Sequence, residues 1–283
     1  MLRYWPKYDL IYYCDSVIGS ALYRLRETFG YSYRLLYGNC MPSTPDGCQR
    51  CDYIQQFSAT ILQEAIEAKI PRSKMTLLPM GIDVRQFETT LCRETLRQKY
   101  HVPRDKFVIL AVSSLDDKFK RIPWLIETIA EMHDPNLHLL LVGQNENTNY
   151  AKQTLSLADR RLLGQYQHLT IPHSAVAEIY RASDLFIHPA LQEGFGKVYL
   201  EAAGSELPVL CHDSAHTQWL VADEFSRIDM ECRASLQNRI RELQTNPSLR
   251  QQTARRNYCH VVKHFAWYTL KYEYLQMFEA ALA

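Results

Sequence analysis

Two glutamates, Glu193 and Glu201, flank a glycine-bearing loop and the start of a helix. An α-helix returns to the same side after roughly seven residues. The interval between these carboxylates is a little longer, so both can address one crevice. A carboxylate accepts hydrogen bonds from paired hydroxyls, and two of them suit a sugar and a ribose. Between them lie Gly194, Phe195 and Gly196. Unpaired backbone N–H groups at a helix mouth, aided by the helix dipole, bind anions. A second chemical element stands upstream, the basic loop with Lys118, Lys120 and Arg121. Cations of that kind neutralise phosphate. A plainer reading stays open: Glu201 solvated, Glu193 complementing a helix start, and the basic loop in water.

The elements that must position these groups follow from pattern. Asp184 to His188 is an apolar run stopped by Pro189, as a buried strand would be. Lys197 to Ala203 favours helix, with Gly204 as its stop. Pro208 to Cys211 is the next strand. Side chains at the C-terminal ends of parallel strands face the ligand crevice of such a sheet.

Earlier in the chain, strands are expected at Asp9 to Cys14, Tyr33 to Tyr37, Asp52 to Gln56 and Thr76 to Leu78. Helices are expected from Ser20 to Phe29 and from Ser58, a cap, to Lys69. Gly38-Asn39 reads as a turn, and Met41 to Gly47 as a loop rich in turn formers. Later come a polar helix from Thr89 to Tyr100 and a strand from Phe107 to Ser113. A helix from Ile122 to Met132 presents Leu125, Ile126 and Ile129 on one face. Strands are expected at Leu137 to Val142 and His168 to Ile171, with helices at Ala151 to Leu163 and Ser174 to Ala182. Two helices broken at Asn246-Pro247 lead to a last aromatic helix opened by Phe265, Ala266 and Trp267. Alternation of strand and helix predicts an α/β architecture.

Composition narrows the class. The chain has 283 residues, 47% hydrophobic and 22% charged, with a net charge of +1. That suits a globular protein of two domains and gives no global attraction to nucleic acid. No apolar run is long enough to span a bilayer, and no signal-peptide pattern is read at the start. Eight cysteines without a framework point to free thiols in the cytoplasm. Cys48-x-x-Cys51 near Cys40 lacks a second pair for zinc, so no metal site is expected. Arg24, Arg26, Tyr31, Tyr33 and Arg34 form a basic aromatic cluster. It is readable as a peripheral membrane surface or as a half-buried helix and strand.

The full string around the glutamates resembles the retaining GT-B glycosyltransferases of family four, also called glycosyl transferases group 1. Pro189, Glu193, Gly194, Phe195, Gly196, Glu201, Ala202, Gly204, Pro208 and Val209 match that signature in register. Leu78 to Asp83 looks like the segment that enters the crossing between domains. The resemblance implies a GT-B fold, two Rossmann-like parallel-sheet domains facing a cleft. Here the N-terminal domain is expected to be truncated, with about four strands before Asp83. The implied division is 1–85, then 86–262, with 263–283 crossing back as a helix.

The resemblance also implies roles. Glu193 touches the donor sugar and, with Lys120, carries the catalytic part. The amides of Gly194, Phe195 and Gly196, with Lys197 and Val198, hold sugar and phosphate, and Glu201 binds the ribose. Lys120 matches a diphosphate-binding lysine. Ser114 stands where the family has an arginine, leaving Lys118 or Arg121 to reach in. Backbone around Thr170, Ile171 and Pro172 meets the nucleobase. His216 stands near the phosphates. Gly38 and Asn39 fall where the acceptor-side histidine would be, and an amide is no base.

The implied function is retaining transfer of a hexose from a nucleoside-diphospho-sugar, with a UDP-sugar leading, to a saccharide or glycolipid. No cofactor or metal is expected, consistent with the lack of Asp-x-Asp. Two other readings stand beside it. One is a nucleotide-sugar-binding or partner subunit impaired in transfer, and the other a sugar-nucleotide epimerase of the same fold.

Overall fold

In the computed structural model, residues 8–39, 48–88, 91–146 and 148–283 are described. The expected loop from Met41 to Gly47, the residue Cys40 and the first residues of the expected helix at Thr89 lie wholly or partly outside them. The chain divides into two compact units, Met1–Gly81 with Trp267–Ala283, and Ile82–Ala266.

The first unit is a parallel sheet of four strands in sequence order, β1 (Leu10–Tyr13), β2 (Arg34–Asn39), β3 (Tyr53–Gln56) and β4 (Met75–Leu77). Helix α1 (Ser16–Phe29) begins earlier than expected, because the Asp15 carboxylate accepts from the amides of Val17 and Ile18. The helix ends at Gly30, whose φ of 65° is left-handed. In α2 (Ala59–Glu67) Ser58 is the cap, accepting from Ile61 N–H. Leu36, Leu78, Leu270, Tyr274 and Met277 form one of this unit's cores, so the last helix belongs with these strands.

One expectation fails here. Gly38 and Asn39 are the buried end of β2, not a turn. Asn39 Nδ2 donates to Gln56 Oε1 at 2.8 Å, a tertiary bond that local turn propensity does not register. The basic aromatic cluster is largely tied inward. Arg26 pairs with Asp52 at 2.5 Å, Tyr33 donates to Leu22 O, and Arg34 donates to Ala281 O. Cys48 and Cys51 are buried apolar residues, and burial pushes the Cys51 thiol up to about 12.

The second unit is a six-stranded parallel sheet in the order β10-β9-β8-β5-β6-β7. These are β5 (Phe107–Val112), β6 (Leu137–Val142), β7 (Tyr166–Leu169), β8 (Leu185–His188), β9 (Val209–His212) and β10 (Arg227–Ile228). The central runs Phe-Val-Ile-Leu-Ala-Val and Leu-His-Leu-Leu-Leu-Val are apolar on both faces, as strands covered on both sides must be. Strand order reverses between β5 and β8, which is the switch point where a doubly wound sheet opens a crevice. The helices of this unit are α3 (Arg93–Lys99), α4 (Ile122–Ala130), α5 (Asn149–Leu162), α6 (Val176–Ala182), α7 (Lys197–Gly204), α8 (Ala215–Leu220), α9 (Arg233–Thr245) and α10 (Pro247–Phe265). The last helix, α11 (Trp267–Leu282), lies in the first unit.

Two local readings shift. Strand β7 begins and ends two residues earlier than expected, which puts Thr170 and Ile171 in the loop beyond it. Gly204 does not stop α7 but is its last residue. A Cβ there would stand 3.2 Å from Ile82 Cδ1, so the glycine serves close packing rather than termination. Trp267 packs against Tyr274, with ring centroids 4.8 Å apart, and lies over Gly81, where a Cβ would come within 2.7 Å of the indole.

Candidate active site

The site forms at the C-terminal ends of β5 and β8, on either side of the reversal in strand order. After β5 the chain makes a short 3₁₀ turn, Lys118–Lys120, capped by the Asp117 carboxylate. Arg121 follows in a left-handed conformation and starts α4 with Pro123 in its first turn. After β8, Pro189 opens a loop that closes at Gly196, φ 77°, the residue before α7. A Cβ at Gly196 would come within 2.6 Å of the buried Tyr199 ring and 3.0 Å of Glu193 Cγ, so glycine is needed on two counts. Among the described residues no side chain caps α7. Its first amides therefore remain available to an anion.

Glu193 is the charge centre of this arrangement. Its Oε2 accepts from Lys120 Nζ at 2.6 Å and from His188 Nε2 at 2.7 Å. Its Oε1 lies 3.2 Å from the Gly194 amide. Burial by itself would raise this carboxyl, but the bond and charge of His188, then those of Lys120, outweigh it and bring it down to about 2. Lys120 and Glu193 are thus joined from the loops that follow β5 and β8.

Glu201 lies one turn into α7 and is buried at 4% exposure, so the solvated reading does not hold. Its Oε2 accepts from Tyr180 Oη at 3.1 Å. Its Oε1 faces His173 Nε2 at 3.5 Å and Lys197 Nζ at 3.6 Å. Both of these partners are exposed and free to swing, so hydroxyl groups of a ligand can replace them. Burial, then the neighbouring Glu201 charge, raises the Tyr180 phenol well above its ordinary value, so it stays a donor.

The other expected residues divide clearly. Lys118 is exposed and lies over the Phe119 ring, apart from the Glu193 cluster. Arg121 does not reach in: its Nη1 donates to Pro189 O and Met230 O, each at 3.0 Å, and the guanidinium stacks on Trp124. It ties the two loops down and is a structural residue. Ser114 Oγ accepts from Asp116 N–H at 3.2 Å and supplies no cation. Thr170 Oγ1 donates to Gly143 O at 3.0 Å, fixing the loop after β7 to the loop after β6. Phe195 is buried against Trp219. His216 is half-buried, and its Nε2 lies 3.1 Å from Phe195 O. Burial lowers its basicity, while the Phe195 carbonyl and the Glu193 charge act the other way. Gly38 and Asn39, named for the acceptor side, belong to the first unit and are buried.

Sequence reasoning did not single out His188. A histidine in an apolar run reads as strand, and the only hint was its place at the strand end, just before Pro189 and five residues short of Glu193. Tyr180 and His173 were equally silent. Among the described residues, no group of three or more His, Cys, Asp or Glu side chains is arranged to hold a metal ion. Nor is any described helix long and apolar enough to cross a membrane.

Comparison with known proteins fixes the class first. Sucrose-phosphate synthase from Thermosynechococcus elongatus superposes with a TM-score of 0.84 at 19% identity, over 98% of this chain and 75% of that one. The Anabaena protein HepE, solved in complex with UDP, gives 0.85 at 18%, over 99% and 80%. The fold is GT-B, with two Rossmann-like parallel sheets. The profile of the family described as "Glycosyl transferases group 1" matches residues 92–259, and the chain belongs to that family. Among curated relatives, the lipopolysaccharide glucosyltransferase WaaG of Escherichia coli K12 is 32% identical over 143 residues, 48% of this chain and 37% of that protein. The capsular polysaccharide biosynthesis glycosyltransferase CapM of Staphylococcus aureus is 29% identical over 205 residues, 66% and 49%. The chain thus spans between about a third and a half of the length of these relatives.

Proposed function

We propose that this chain binds a nucleoside-diphospho-sugar, with UDP as the nucleotide, and transfers its hexose with retention to a saccharide or glycolipid. The observation that carries the reading is the Lys120–Glu193 pair, built from both sides of the switch point beside the uncapped start of α7. A diphosphate placed there meets the lysine and the first amides of the helix. The sugar then meets Glu193, and the ribose hydroxyls meet Glu201. In the retaining reaction the donor's anomeric carbon–oxygen bond breaks and its electrons pass to the diphosphate. The acceptor oxygen forms the new bond on the same face, and its proton goes to the leaving phosphate. Lys120 and the helix amides stabilise the charge that develops on that phosphate. These groups can supply the stabilisation without a metal. The UDP complex of HepE and the polysaccharide settings in the names of the curated relatives support the nucleotide and the acceptor class.

Calorimetric titration with UDP, GDP, ADP and TDP tests the donor site. Micromolar binding of UDP, about 8 kcal/mol, is expected. Glu201→Ala is expected to weaken it by about tenfold, the worth of one good hydrogen bond to a charged group. Absence of binding by all four would refute the reading. A second reading, donor binding without transfer, is favoured by one observation. Asn39, at the position implied for an acceptor-side base, is a buried amide bonded to Gln56. Turnover of a UDP-hexose by the purified chain separates the two.

A further inference from the structure

His188 lies inside the second unit at 1% exposure. Its ring stacks beside Phe186 and meets the edge of Tyr199, with centroids 6.3 and 5.1 Å away. One nitrogen, Nε2, holds Glu193, and the other, Nδ1, is buried with no hydrogen-bond partner among the described residues. A carboxylate oxygen only accepts, so at 2.7 Å Nε2 carries a proton that points at Glu193.

Glu193 Oε2 thus has two donors of unlike character. Lys120 approaches on a long side chain that is 22% exposed, and its free reach is several ångströms. The His188 side chain is 2% exposed and clamped between aromatic rings. A diphosphate entering at the start of α7 competes with Glu193 for Lys120, and the phosphate carries the larger charge. When the lysine changes partner, Oε2 keeps one donor.

We propose that His188 is a positioning residue, holding the Glu193 carboxylate aimed at the donor sugar while Lys120 moves from Glu193 to the diphosphate. This rests on the donor-site reading above. His188 itself touches neither nucleotide nor sugar. Its effect is therefore confined to steps that use Glu193.

The variants are His188→Phe, which keeps a ring between Phe186 and Tyr199 but removes the donor, and His188→Gln, which restores an N–H of similar reach. Thermal unfolding confirms that each is folded before use. In His188→Phe, UDP affinity is expected to stay at the wild-type level. Turnover of the UDP-hexose should fall about 10- to 100-fold, as misaimed catalytic groups do. His188→Gln should recover most of it. Equal losses of UDP affinity and turnover in His188→Phe, or no loss of turnover, would overturn the proposal. A second readout is independent of activity. With ¹³C-labelled glutamate, the Glu193 carboxyl should titrate higher in ligand-free His188→Phe than in wild type, and an unchanged titration would also overturn it. Should UDP fail to bind the wild type, the donor-site reading falls, and the carboxyl titration alone decides whether His188 holds Glu193.

Discussion

Strand β8 carries a buried ion cluster at each end, and the two are built on opposite principles. At its start, Asp184 accepts from Arg93 and Arg97, each at 2.6 Å, and from Val108 N–H at 2.8 Å. Arg97 also donates to the carbonyls of Ala182, Pro103, Arg104 and Lys106. This cluster is closed, and it pins α3 and the start of β5 to β8. At the other end, Glu193 Oε2 has one buried donor and one half-exposed one, and Glu201 Oε1 faces two exposed partners. A saturated cluster stabilises, because each of its charges is compensated by groups that do not move. An open cluster can exchange its internal bonds for bonds to a ligand.

The contrast breaks first at the closed end. Arg97→Ala should cost about 3–5 kcal/mol, since it leaves Asp184 and four carbonyls short of a buried partner. Urea unfolding would measure it, and a loss under about 1 kcal/mol would show that the cluster is not a structural tie.

Glu193→Gln should do the reverse. Turnover of the UDP-hexose is expected to fall by about 10²-fold, while unfolding shifts by about 2 kcal/mol near neutral pH, the linkage worth of the depressed carboxyl discounted for its partial exposure. That term has a defined pH dependence. The Glu193 carboxyl is depressed from its usual 4.5 to about 2, so its ion pair contributes fully above the usual value and is lost as pH falls towards 2. The difference in unfolding free energy between wild type and Glu193→Gln should be flat above about pH 5.5 and shrink towards zero in acid. A difference that grew in acid would reverse the assigned sign.

The smallest expected effect sharpens the boundary of the open cluster. Lys118→Ala should change UDP affinity by no more than about 0.5 kcal/mol, because Lys118 is exposed over Phe119 and not joined to Glu193. A tenfold loss in calorimetry would enlarge the site to include it.

Most of the second unit was legible in the residues. Long apolar strands such as β5 and β6 carry their own signal, and the string from Pro189 to Val209 fixed the mouth of α7. What escaped was decided at long range. Arg121 reads as a loop cation because its carbonyl partners, Pro189 and Met230, are 68 and 109 residues away. Gly38-Asn39 reads as a turn because the bond to Gln56 is invisible locally. Gly204 reads as a stop because Ile82, its neighbour in space, is far off in the chain. His188 was hidden for a subtler reason. Its pairing with Glu193 spans few residues, but apolar neighbours on both sides gave it the pattern of core.

The glycine that ends β6 bears on how this chain can change over generations. A Cβ at Gly143 would stand 1.8 Å from the Ser113 carbonyl oxygen, where the loops after β5 and β6 run side by side. That oxygen belongs to backbone and cannot rotate away as a side chain would. Every substitution at this codon forces apart the loops after β5 and β6, whatever the chemistry of the new residue. Drift can rewrite the bulk of the exposed surface one letter at a time, but at this position a viable lineage has a single letter to use.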